Sequence, residues 1–98
     1  AQYETVPKVS SNDIAILLSE FFDLDPEQTS SCNAIYDRAS LVAIEKIERR
    51  GYVAHLISFL DTAGRILLIT LEYNQNQMEG PPYSVPAKEI VSLFALLA

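Results

Sequence analysis

A single cysteine, a single histidine and three glycines in 98 residues remove several chemistries at the outset. With Cys32 alone, no internal disulfide can form, and cytoplasmic and exported locations both stay open. His55 has only Cys32 as another soft ligand, and two scattered ligands do not make a zinc site. Basic residues are scarce too. Seven Lys and Arg stand against thirteen Asp and Glu, for a net charge of −6. Phosphate binding needs a surplus of cations on one face, so this balance argues against nucleic acid and against an anionic membrane surface. No apolar run approaches the roughly 20 residues that a helix needs to span a bilayer. There is no Asn-x-Ser/Thr acceptor, and no catalytic or nucleotide-binding signature. The chain begins Ala1-Gln2 rather than with methionine, which reads either as a processed start or as a boundary within something longer.

What is present is apolar content. Hydrophobic residues make up 49% and charged residues 20%, the composition of a globular domain. Residues 40–73 organise the reading, as three apolar-rich segments at 40–48, 52–60 and 65–73. Arg49-Arg50-Gly51 and Asp61-Thr62-Ala63-Gly64 separate them, each ending in a glycine that can close a short hairpin loop. The second and third segments are rich in Val, Ile, Leu, Phe, Tyr and Thr, which predicts strands. Both faces of both strands are largely apolar, so something should cover each side. The first segment fits either a strand or a helix, because Leu41, Ile44 and Ile47 also keep helical spacing. The helical version invites a winged-helix reading, but its recognition helix would carry Glu45 and Glu48, a poor surface for phosphates.

Residues 1–9 read as an extended arm. Ser10-Ser11-Asn12-Asp13 marks a helix start, followed by the stripe Ile14, Leu17, Leu18 and Phe21. Asp25, Pro26 and Gln28 form a second start, with a short helix expected to about Tyr36. Calcium binding by Asp23, Asp25 and Glu27 is the rival there. It lacks the central glycine and the terminal glutamate of an EF-hand loop. Residues 74–82 form a polar loop. Pro86 then opens a closing helix over 86–97, striped by Ile90, Leu93, Phe94 and Leu97.

The expected fold is one α+β domain over residues 1–98. It comprises an N-terminal helix or helices, a three-stranded antiparallel β-meander at 40–73 and a C-terminal helix. Leu18, Phe21, Ile57, Ile69 and Phe94 should lie in its core. Catalytic, metal and cofactor residues are assigned to none. Cys32 and His55 read as a semi-buried thiol and a packed or partner-contacting imidazole. The expected function is a non-enzymatic, acidic protein-binding module of the adaptor, chaperone or inhibitor type. The alternative is an exported sensor domain with a ligand pocket between sheet and helices. The partner is another protein chain, with a homodimer as the simplest case. The candidate interface residues are Tyr52, His55, Leu56, Leu60, Ile66 and Leu68, because a bare apolar sheet face is larger than monomers tolerate.

Overall fold

The computed structural model describes residues 8–11, 14–28 and 32–95. It opens with an antiparallel pair, β1 (Lys8–Ser11) and β2 (Ile14–Leu17), in the register Val9↔Ile16. Three-residue 3-10 turns follow at Phe21–Asp23 and Pro26–Gln28. Strand β3 (Cys32–Arg38) leads through two more such turns, Leu41–Ala43 and Lys46–Glu48, into helix α1 (Arg49–Ile57). Strand β4 (Leu60–Ile69) returns parallel to β3, with Tyr36↔Leu67 and Arg38↔Ile69 in register. Parallel strands cannot be joined by a tight turn, and here α1 and the turns before it supply the crossover. Helix α2 (Ala87–Leu93) closes the described fold.

Two small sheets and two helices make a small α+β structure, but not the expected one. There is no three-stranded meander among the described residues. The 52–60 segment is mostly α1, because Tyr52, Val53 and Leu56 share one buried side of a helix. Its Val, Tyr and Phe content imitates a strand, and strand preference yields to packing context. The 40–48 segment is neither strand nor α-helix but the pair of 3-10 turns. Only the third segment keeps its type, as the second half of β4. The N-terminal helix is also corrected: Ile14–Leu17 is strand β2, and the last part of the helix expected up to Tyr36, from Cys32 on, is strand β3. Asp25 does receive an amide, that of Glu27 at 2.9 Å, at the Pro26–Gln28 turn, and residues 29–31 lie outside the described residues. Asn12 and Asp13 of the supposed helix start lie outside the described residues, as do residues 1–7 of the arm and Leu97 of the last stripe.

The core gathers Leu41, Val42, Tyr52, Val53, Leu56, Val85 and Leu93, with Phe21, Ile35, Ile57, Leu68, Ile90 and Phe94 packed against it. Leu18 and Ile69, two of the five expected core residues, are instead 72% and 44% exposed. On β4 the alternation is real: Ile66 and Leu68 turn inward, while Leu67 and Ile69 face out. The segment after β4 is pinned to the chain that returns beside it. Val85 N–H donates to Leu71 O at 2.7 Å, and Tyr73 N–H donates to Ser84 Oγ at 2.9 Å.

The glycines at 51 and 64 close no hairpin. Gly64 lies within β4, and Gly51 sits in the first turn of α1 with open space where a Cβ would stand. Replacing Gly51 by alanine is therefore expected to stabilise the protein by about 0.5–1 kcal/mol, the helix cost of glycine. A urea midpoint that falls in Gly51→Ala would contradict the helical assignment.

Candidate functional site

At the carboxyl end of β3 the chain turns sharply through Arg38, Ala39 and Ser40, and Ala39 holds φ at 73°. An alanine in the left-handed region persists only where its surroundings hold it. The hold comes from Asp37, which is 3% exposed. Its Oδ1 accepts the Leu41 amide at 3.2 Å, and its Oδ2 accepts the Tyr52 hydroxyl at 2.6 Å from α1. Both carboxylate oxygens thus have protein donors. The Tyr52 phenol is held far above its ordinary pKa, first by burial, then by its hydrogen bond to Asp37 and by the Asp37 charge. A raised tyrosine pKa leaves the hydroxyl protonated below its ordinary value near 10. The stabilisation tied to that proton is complete throughout the neutral range. It is lost only as pH climbs through the raised pKa.

Above this turn lies a cleft of about 470 Å³, lined by Phe21, Phe22, Tyr36 and Tyr52 together with Ile44, Leu56 and the 37–40 backbone region. Its aromatic wall is locked in place. The ring of Phe21 meets that of His55 edge-on at 4.7 Å and that of Tyr52 at 5.3 Å. Phe21 and Phe59 stack at 5.8 Å. His55 Nε2 lies 2.8 Å from Phe21 O, tying the 3-10 turn to α1. Phe22 touches Tyr52 and His55 but remains half exposed, with ring surface still available. The cleft offers planar apolar contact, and each oxygen of its Asp37 already accepts one protein hydrogen bond.

A second cleft, of about 440 Å³, is lined by Arg49, Glu89, Tyr73 and Tyr83 among others. Arg49 is its anchor: Nε donates to Ile44 O at 2.9 Å, and Nη1 donates to both oxygens of Glu89 at 3.0 and 2.9 Å. The guanidinium also lies 5.6 Å from the centre of the Tyr83 ring. No cluster of three or more His, Cys, Asp or Glu suited to a metal ion occurs among the described residues.

Of the six candidate interface residues, Tyr52 and Leu56 are buried in the core and also line the first cleft. His55, Leu60, Ile66 and Leu68 are half-buried. His55 joins the aromatic wall through Phe21. Sequence reasoning missed Phe21, Phe22, Tyr36 and Asp37 as a group. The one local signal is Asp37, an acid directly after Ile35-Tyr36, in a strand that the sequence does not announce.

Cleft and turn both stand at the carboxyl end of a parallel strand pair, where open α/β sheets bind their ligands. Comparison with known proteins agrees with an enzymatic setting. A thiopurine S-methyltransferase of Aliivibrio fischeri is 54% identical over 65 residues, covering 66% of this chain and 30% of the relative. That of Aliivibrio salmonicida is 48% identical over 84 residues, covering 86% and 38%. That of Nitrosospira multiformis is 44% identical over 81 residues, covering 83% and 37%. The chain thus spans less than two fifths of the length of these curated relatives. Such identity to methyltransferases overturns the expectation of a non-enzymatic adaptor, chaperone or sensor module, and with it the expectation that no enzyme is involved. The family model for thiopurine S-methyltransferase (TPMT) matches residues 1–97, and the chain belongs to that family.

Proposed function

We propose that this chain supplies one wall of a methyl-transfer site, with the aromatic cleft at the end of β3 holding the planar ring of an S-adenosyl donor. The relatives are named for S-methylation of thiopurines, and the same reaction class is proposed for this protein. S-adenosylmethionine, the methyl donor of the family, carries an electrophilic methyl group on a sulfonium when bound. The observation that carries this reading is the placement of Phe21, Phe22, Tyr36 and Tyr52 around one cleft at the carboxyl end of parallel strands. Its volume of about 470 Å³ lies in the range of small-molecule sites. The residues fit the apolar heterocycle of the donor. Phe22 offers exposed ring surface for stacking, Phe21 and His55 fix the wall behind it, and the buried Asp37 shapes the turn below.

The test is calorimetric titration of the full-length protein with S-adenosylhomocysteine, the product form of the donor. Stacking of a base on an aromatic side chain is typically about 1–3 kcal/mol, so Phe22→Ala is expected to weaken binding roughly 5- to 150-fold. Unchanged affinity in Phe22→Ala would remove the cleft from the site.

The outward face of the β3–β4 pair, with Leu67 and Ile69 exposed, supports contact with a further polypeptide segment or chain. Parallel strands are ordinarily covered on both faces.

A further inference from the structure

We infer that Tyr52 is a positioning residue for the proposed donor site: through Asp37 it holds the Arg38–Ser40 turn in the conformation that opens the cleft. The inference rests on the functional reading above, but it concerns a different group of atoms. The Tyr52 ring lines the cleft, whereas its hydroxyl is committed to Asp37 Oδ2 at 2.6 Å. The other oxygen of the same carboxylate accepts the Leu41 amide at 3.2 Å, so the two bonds bracket the turn. Between them stands Ala39 at φ 73°. An alanine is disfavoured there by a population factor of roughly 5 to 30. The Tyr52–Asp37–Leu41 chain of hydrogen bonds offsets that bias.

Asp37 and Ser40 are themselves cleft residues, and so is Ala39. A turn that relaxes to negative φ moves the floor of the cleft relative to its aromatic wall. The apparent affinity of a ligand falls by the fraction of molecules that lose the competent form. Burial keeps the Tyr52 hydroxyl protonated, so the clamp is a constant donor at neutral pH.

The experiment is a cycle in the full-length protein with Tyr52→Phe, Ala39→Gly and the double variant. Phenylalanine keeps the ring contacts with Phe21 and Phe22 and removes only the hydroxyl. Glycine accepts positive φ without the alanine bias. Affinity for S-adenosylhomocysteine should fall roughly 5- to 30-fold in Tyr52→Phe, and in the double variant it should return to the value that Ala39→Gly shows alone. Unfolding midpoints are recorded beside each titration. A purely structural role would lower stability without rescue by glycine. Undiminished affinity in Tyr52→Phe, or a loss that Ala39→Gly does not restore, overturns the inference. If the unmodified protein does not bind S-adenosylhomocysteine, the functional reading fails. The clamp is then decided by amide hydrogen exchange at Leu41, which should quicken about tenfold in Tyr52→Phe. Unchanged exchange there overturns it.

Discussion

Replacing Arg49 by alanine is expected to cost about 3–5 kcal/mol of stability, because it breaks a buried ion pair and leaves its acid partner uncompensated. The Arg49 side chain is 3% exposed and that of Glu89 is 19% exposed, so solvent screens the pair little. Three parts of the molecule meet in this one guanidinium. It belongs to α1, its Nε donates to Ile44 O in the preceding segment, and its Nη1 donates to both oxygens of Glu89 in α2. The Tyr83 ring covers one of its faces. Arginine reaches Ile44 O and Glu89 with two separate nitrogens, Nε and Nη1, where lysine has one, so Arg49→Lys should recover only part of the loss. Replacing Arg49 and Glu89 together by apolar residues of similar size should be far milder than Arg49→Ala alone, since no unpaired charge stays behind. Urea unfolding of the four proteins measures these differences directly. An Arg49→Ala loss under about 1 kcal/mol would mean that the pair behaves as a solvated surface contact.

The parts of this fold that were legible in the sequence are those whose pattern and packing agree. The closing helix has Pro86 before its first turn and Leu93 buried on its inner side, as its stripe requires. The second half of β4 alternates Ile66 and Leu68 against Leu67 and Ile69, as a strand must. The failures have physical causes. Ile14, Leu17, Leu18 and Phe21 have perfect helical spacing, yet Ile14–Leu17 pairs with Lys8–Ser11, and ladder bonds outweigh a stripe that finds no surface to cover. Residues 52–57 reversed the error. They contain β-branched and aromatic residues, but Tyr52, Val53 and Leu56 lie on one side only when wound as a helix, and the core between β3, β4 and α2 receives that side. Strand β3 was hidden because Asn33 and Ala34 are poor strand formers, and its partner is separated from it by the whole crossover. The site was less legible still. It is built from aromatic rings, a turn and a carboxylate with both oxygens occupied, none of which forms a spaced set of reactive side chains.

Leu41 carries the other large expectation, a loss of about 2–5 kcal/mol on truncation to alanine. It is the first residue after the Arg38–Ser40 turn and is 1% exposed, packed in the core with Val53 and Val85. The substitution keeps the backbone bonds. The residue 41 amide still reaches Asp37 Oδ1, and its carbonyl still accepts the Ile44 amide. What disappears is packing, through the transfer free energy of the removed carbons and the cavity they leave. Leu67 is a matched control on the outward side of β4, 61% exposed, and Leu67→Ala should change stability by less than about 0.5 kcal/mol. The urea midpoint should drop in Leu41→Ala with little change in slope, since the native state stays compact. Because the same residue anchors the turn from its core side, the cleft should also loosen, seen as faster amide exchange at Ser40 and residue 41. Equal midpoints for the two leucine variants would show that the 41–43 turn does not seat in the core, and the cleft above it would then lack a rigid floor.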